Sequence, residues 1–149
     1  QVFNQPAGHL EAGENLLEAA CREIREETGL QLQPDGWLGT YLYSSPYRKL
    51  TYLRFCFYCE LTAPPGEHQP NDPDNDIVAC HWLTETEIRA LGKKLRSPLV
   101  LECLDDYLSG VRLPLTTLKD RRKSSQPRRH YRPRRRTGRE TPAKPDAQG

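Results

Sequence analysis

GHLEAGENLLEAACREIREETGL, residues 8–30, reads as an acidic loop followed by an acidic helix. Asn15 is a favourable N-cap, and Glu18 stands three residues on, at capping-box spacing. Gly29 follows Thr28 as a C-terminal stop. Between these signals Leu17, Cys21, Ile24 and Thr28 recur on one helical stripe, with Ala20 at its edge. Glu23, Glu26 and Glu27 fall on a different face, because residues three and four apart are neighbours on a helix surface. The helix therefore has one side for a core and another that concentrates negative charge.

Like charges at this spacing cost roughly 0.2–0.5 kcal/mol per pair. Arg22 and Arg25 can relieve part of that repulsion, Arg22 from one turn before Glu26. Two readings follow. In one, the helix has a solvated face laced with ion pairs. In the other, its crowded oxygens form a site for a hard cation, Mg²⁺ or Mn²⁺, which would remove the repulsion.

The full spacing separates the two. Gly8, Glu14, Arg22-Glu23-Ile24, Glu26-Glu27 and Gly29-Leu30 fill the nine fixed positions of the Nudix box. The chain thus resembles the Nudix hydrolases. That resemblance implies an α/β Nudix fold and Mg²⁺-dependent hydrolysis of a phosphoanhydride bond in a small diphosphate substrate, with Mn²⁺ as the alternative ion. It also implies Glu23, Glu26 and Glu27 as metal ligands, Glu23 and Glu27 foremost because they lie one turn apart. The Ala7 backbone carbonyl would complete the metal shell, and Glu14 would hold the loop or add a water-mediated ligand. Arg22 would act on the reaction by orienting Glu23 or Glu26 through a charge-assisted hydrogen bond. In this superfamily the general base is a box glutamate or an acidic residue from a distant loop. Outside the box the candidates are Asp74 and Asp76, for which a plain polar loop is an equal reading. His9, Glu11 and Glu18 read as loop and cap residues. No Gly-Lys-Ser/Thr follows the glycines, so the loop is not a P-loop.

Working outward, Val2–Gln5 reads as the end of a strand and Leu30–Gln33 as a short strand or exit, closed by the turn signal Pro34-Asp35-Gly36. Trp37–Ser44 alternates as a strand, with Leu38, Thr40 and Leu42 on one face and Trp37, Gly39, Tyr41 and Tyr43 on the other. A turn over residues 46–49 leads into Leu50–Leu61, the strongest strand signal. Thr62–Asn75 is loop by composition, and Ile77–Leu83 is expected as the next strand. Thr84 with Glu87 caps a second helix. Ser97-Pro98 opens a third, which runs to Ser109 and stops at Gly110. Strands interleaved with helices at both ends predict a mixed sheet sandwiched between helices.

Charge is unevenly spread. Residues 119–149 hold 12 Lys/Arg against 3 Asp/Glu, while residues 1–118 hold 10 against 17. The Arg/Pro-rich end has no apolar period, which predicts a domain over residues 1–115 and a disordered basic tail over 116–149. Such a tail offers weak, non-specific contact to nucleic acid. The box lies only seven residues from Gln1, where Nudix domains carry further strands, so the expectation is an N-terminally incomplete domain with missing strands. The five cysteines form no convincing metal or disulfide framework. As small hydrophobes they fit a reducing, cytoplasmic setting. No apolar run approaches membrane-spanning length.

Beyond the box, NQPAGHLE, LRFCFYCEL, DNDIVACHWLT and LRSPLVLECLDDYLSG together resemble one subgroup, the phosphatase NudJ. This resemblance implies nucleoside di- and triphosphates and a thiamin-precursor hydroxymethylpyrimidine pyrophosphate as substrates. Two alternatives remain: a Nudix hydrolase for oxidised nucleotides or nucleotide sugars, and a degenerate Nudix domain in which the basic tail binds nucleic acid.

Overall fold

The computed structural model describes residues 1–46, 49–62, 66 and 69–120. Helix α1 spans Leu16–Thr28, strand β1 Gly36–Ser44, strand β2 Thr51–Tyr58, helix α2 Glu85–Leu91 and helix α3 Leu99–Leu108. Short 3-10 turns follow α2 at Gly92–Lys94 and α3 at Leu115–Thr117.

The helices begin where their side chains can satisfy the first free amides. Asn15 accepts from the amides of Leu17 and Glu18, and Glu18 returns a bond to the Asn15 amide at 2.6 Å. Thr84 and Glu87 repeat this reciprocal arrangement at α2. Helix α1 ends on Gly29, which is left-handed at φ 75° and donates its amide to the Arg25 carbonyl. A Cβ at Gly29 would also run into the Gln69 carbonyl, so glycine is needed there for two reasons.

Strands β1 and β2 pair antiparallel, with Leu42 opposite Leu53 and Tyr41 opposite Arg54. A bulge between Trp37 and Gly39 changes the side-chain parity within β1. As a result Leu38 is buried while Leu42 is exposed, although simple alternation places them on one face. The Tyr41 side of the sheet meets α3, where the Tyr41 hydroxyl donates to Asp106 at 2.6 Å. The buried apolar residues are Leu30, Leu38, Leu99, Val100 and Cys103. The chain after α3 folds back to the bulge: Trp37 and Leu113 exchange backbone bonds at 3.0 and 2.9 Å. The Trp37 indole also donates to the Thr117 hydroxyl at 2.9 Å, just past residue 115. Arg112 lies over the Tyr107 ring at 3.8 Å and the Tyr58 ring at 4.8 Å, which fixes this return segment against β2 and α3.

Among the described residues the sheet is smaller than the interleaved pattern predicts. Its two strands are antiparallel, and the one parallel pairing is an isolated bridge between Phe3 and Leu95, which is all that remains of the strand expected at Val2–Gln5. Leu30–Gln33 forms no strand and is an exit from α1. Ile77–Leu83 likewise forms no strand. A strand needs a ladder partner, whereas the Ile77 amide bonds the Asp72 carboxylate, and Val78 and Trp82 stand exposed. The predicted hairpin turn and the loop after β2 lie partly outside the described residues, and the basic tail lies outside them from residue 121 onward.

Candidate active site

The box brings three carboxylates together around one guanidinium. Arg22 donates through Nε and Nη2 to Glu14 at 3.1 and 2.8 Å, and through Nη1 to Glu23 at 2.5 Å and Glu26 at 3.2 Å. Its Nη2 also reaches the His9 carbonyl at 2.9 Å. Every direction of the Arg22 fork is therefore occupied, and these contacts, the Glu14 bond first, hold the guanidinium firmly charged. Glu14 in turn accepts the Glu11 amide at 2.7 Å, which closes the loop ahead of α1. Gly8 allows this closure: the Glu23 carboxylate lies where a side chain at position 8 would project. Arg25 adds a looser pair to Glu26 at 3.5 Å.

Glu27 stands apart from this network. Its carboxylate accepts one described bond, from the Ala7 amide at 3.1 Å. Burial pushes its pKa up to about 7; the Ala7 bond opposes the shift, the negative charges of Glu23 and Asp72 add to it, and Arg96 draws it back. Helix geometry accounts for the separation. Glu23 and Glu26 flank Arg22 at spacings it can span, while Glu27 faces the segment that enters the loop.

A second loop closes the lower end of α1. The Asn71 amide donates to the Glu26 carbonyl at 2.8 Å. Asp72 then organises the next turn by accepting the amides of Asp74, Asp76 and Ile77 at 3.0, 2.7 and 3.0 Å. These bonds, the Asp74 amide first, hold the Asp72 carboxyl below its usual range. Asp74 and Asp76 thus contribute amides to the Asp72 turn, and their side chains are exposed.

The structure accordingly places Glu14, Glu23, Glu26 and Arg22 in one cluster, with Glu27 and Ala7 beside it. Two neighbours of Glu27, Asp72 and Arg96, escape a reading of the sequence. Asp72 has a detectable signal, since Asp-Pro-Asp-Asn is the composition of an Asx-type turn. Arg96 has none, because the Phe3–Leu95 bridge alone brings it near the box.

The donors fit a hard divalent ion in chemistry, being carboxylate oxygens without thiol or imidazole among them. Glu27 adds a physical reason: it is half buried beside like charges, with no cation in ion-pair contact among the described residues. No three of these groups converge as a ready-made metal cage among the described residues, because three of the carboxylates turn onto Arg22.

Residues 2–103 match the NUDIX domain family. The chain is 44% identical over 121 residues to Phosphatase NudJ of Escherichia coli (strain K12), covering 80% of this chain and 74% of that protein. Phosphatase NudJ of Shigella flexneri matches with the same identity and coverage. Among solved structures, a NUDIX hydrolase from Nitrosomonas europaea superposes with a TM-score of 0.65 at 39% identity, covering 80% of this chain and 78% of that one. With the nine box positions filled and the box carboxylates gathered at one end of the fold, the chain belongs to the Nudix family and is a hydrolase of phosphoanhydride bonds.

Proposed function

We propose that this chain is a NudJ-like, Mg²⁺-dependent pyrophosphohydrolase of nucleoside di- and triphosphates and of hydroxymethylpyrimidine pyrophosphate, with Mn²⁺ able to substitute. The observation that carries this reading is the half-buried Glu27 carboxylate, beside Glu23 and held to the Ala7 amide at 3.1 Å. Glu23, Glu26 and Glu27 would hold the ion, with the Ala7 carbonyl and Glu14 completing its surroundings. When bound, the ion would neutralise phosphate charge and lower the pKa of a water.

The chain's own residues do the remaining work. Arg22 keeps Glu14, Glu23 and Glu26 in one constellation, so little ordering remains to be done at the moment of reaction. The Ala7 amide fixes one Glu27 oxygen. For the general base we favour a box glutamate over Asp74 and Asp76, whose side chains make no described contact with the box. Five free cysteines support a reducing, cytoplasmic setting. Among the described residues no helix is long and apolar enough to cross a membrane.

A substrate panel tests the reading. Nucleoside di- and triphosphates, hydroxymethylpyrimidine pyrophosphate, an oxidised nucleotide and a nucleotide sugar are each incubated with Mg²⁺ or with EDTA, and phosphate and monophosphate release are measured. Turnover of the first two classes, abolished by EDTA and restored by Mg²⁺, is expected. Preference for the last two compounds would contradict the NudJ-like range, and full turnover in EDTA would contradict the metal.

A further inference from the structure

A diphosphate brings at least two negative charges to a site already lined with carboxylates, and a side-chain cation would share its reception with the proposed metal ion. Arg22 cannot, because its donors are spent on Glu14, Glu23, Glu26 and the His9 carbonyl. Arg25 is paired with Glu26. Arg54, near the segment that enters the box, donates to Gln5 at 3.4 Å. Arg96 is placed differently. Its guanidinium has no ion-pair or hydrogen-bond partner among the described residues, and the residue is exposed.

Its place is fixed by backbone rather than by side-chain pairing. The Phe3 amide donates to the Lys94 carbonyl at 2.9 Å, and the Arg96 amide donates to the Phe3 carbonyl at 2.8 Å. The extended backbone at Leu95 half-buries that residue and leaves Arg96 in solvent. Four residues after Phe3, the Ala7 amide holds Glu27. One short segment therefore ties Arg96 at one end and Glu27 at the other. The Arg96 charge is felt at Glu27, yet the two stand outside ion-pair contact, which leaves a gap between cation and carboxylate.

We infer that Arg96 is the anion anchor of this site, a substrate-binding residue whose guanidinium fork takes phosphate oxygens while the box carboxylates face the bond to be cleaved. A guanidinium suits this role because its planar donors match phosphate oxygens two at a time. An arginine serving only to stabilise Glu27 would be expected to close on it as Arg22 closes on Glu23. The inference rests on the hydrolase reading above and adds to it the residue that binds the substrate's charge.

The test compares wild type, Arg96→Gln and Lys93→Gln, the last an exposed neighbour carrying the same charge change. Steady-state hydrolysis of a nucleoside triphosphate gives kcat and KM, and calorimetric titration with its β,γ-imido analogue in Mg²⁺ gives Kd. Melting temperatures check that each variant folds. Arg96→Gln should raise KM and Kd at least about tenfold, with kcat within about threefold and an unchanged melting temperature. Lys93→Gln should stay within about twofold of wild type throughout. KM and Kd unchanged in Arg96→Gln, or shifted equally in Lys93→Gln, would overturn the anchor and leave the hydrolase reading intact. A wild type that binds the analogue through Arg96 but hydrolyses nothing would support the anchor and contradict the hydrolase reading. A wild type that does neither would overturn both.

Discussion

Two corners of the same carboxylate cluster behave differently. Around Arg22, three glutamates share one guanidinium, and the loop carbonyl of His9 completes its coordination. Around Glu27, a half-buried carboxylate has one backbone amide and two negative neighbours, Glu23 and Asp72. In the first corner every donor of the guanidinium is engaged, which holds the three carboxylates in place. The second is incomplete, and burial has raised the cost of its charge. In one acidic motif, position relative to Arg22 thus divides carboxylates paired with a cation from one that has only a backbone amide.

The comparison breaks most visibly at Glu27. Glu27→Gln keeps the shape and removes the charge, and it should lower kcat at least ~100-fold, since each ~1.4 kcal/mol of lost transition-state stabilisation is about tenfold in rate. Glu18→Gln on the same helix serves only the cap and should keep its rate in the same assay. At the other corner, Arg22→Ala would leave Glu14, Glu23 and Glu26 facing one another. It should cost about 2 kcal/mol in a urea unfolding titration at neutral pH, the scale of losing charged hydrogen bonds at a largely buried group. A loss no larger than that of Arg25→Ala, an exposed pair, would erase the distinction between the corners.

The Glu27 shift also predicts a pH dependence. Its folded pKa is raised, so its protonated form is favoured in the fold. The resulting stability is fully present below the unfolded value near 4.5 and is lost as pH rises through about 7. In metal-free buffer the wild type should therefore lose on the order of 1–2 kcal/mol between pH 4.5 and 8 relative to Glu27→Gln, after allowance for partial exposure. Parallel stability curves for the two proteins would contradict this. The smallest effect lies away from both corners. The Ser97 hydroxyl is buried with no hydrogen-bond partner among the described residues, so Ser97→Ala should raise stability by ~1 kcal/mol with activity unchanged.

What could be read from the sequence was what local chemistry dictates. The caps Asn15–Glu18 and Thr84–Glu87 and the stop at Gly29 each depend on residues a few positions apart, and each stands where its spacing puts it. The box likewise named the carboxylates, and Arg22 was identifiable as their organiser because it lies on the same helix. Pairing was the hidden part. The bulge at Trp37/Gly39 moves Leu42 to the exposed face, and no residue pattern announces it. Ile77–Leu83 has strand composition, but strand formation depends on a neighbour, and Asp72 takes the Ile77 amide instead. Asp74 and Asp76 drew attention as acids, while the turn is built on Asp72. Arg96 reaches the site only through a bridge to a residue more than ninety positions earlier.

The central claim is that Glu27, which Arg22 does not reach, carries a charge that a divalent cation completes. The most direct measurement is the melting temperature at pH 8, with and without saturating Mg²⁺, for the wild type, Glu27→Gln and Glu18→Gln. An ion that binds the native state stabilises it according to its concentration and affinity. Mg²⁺ should raise the melting temperature of the wild type and Glu18→Gln by the same amount and leave Glu27→Gln nearly unmoved. An equal rise in all three proteins, or none in the wild type, would contradict the account.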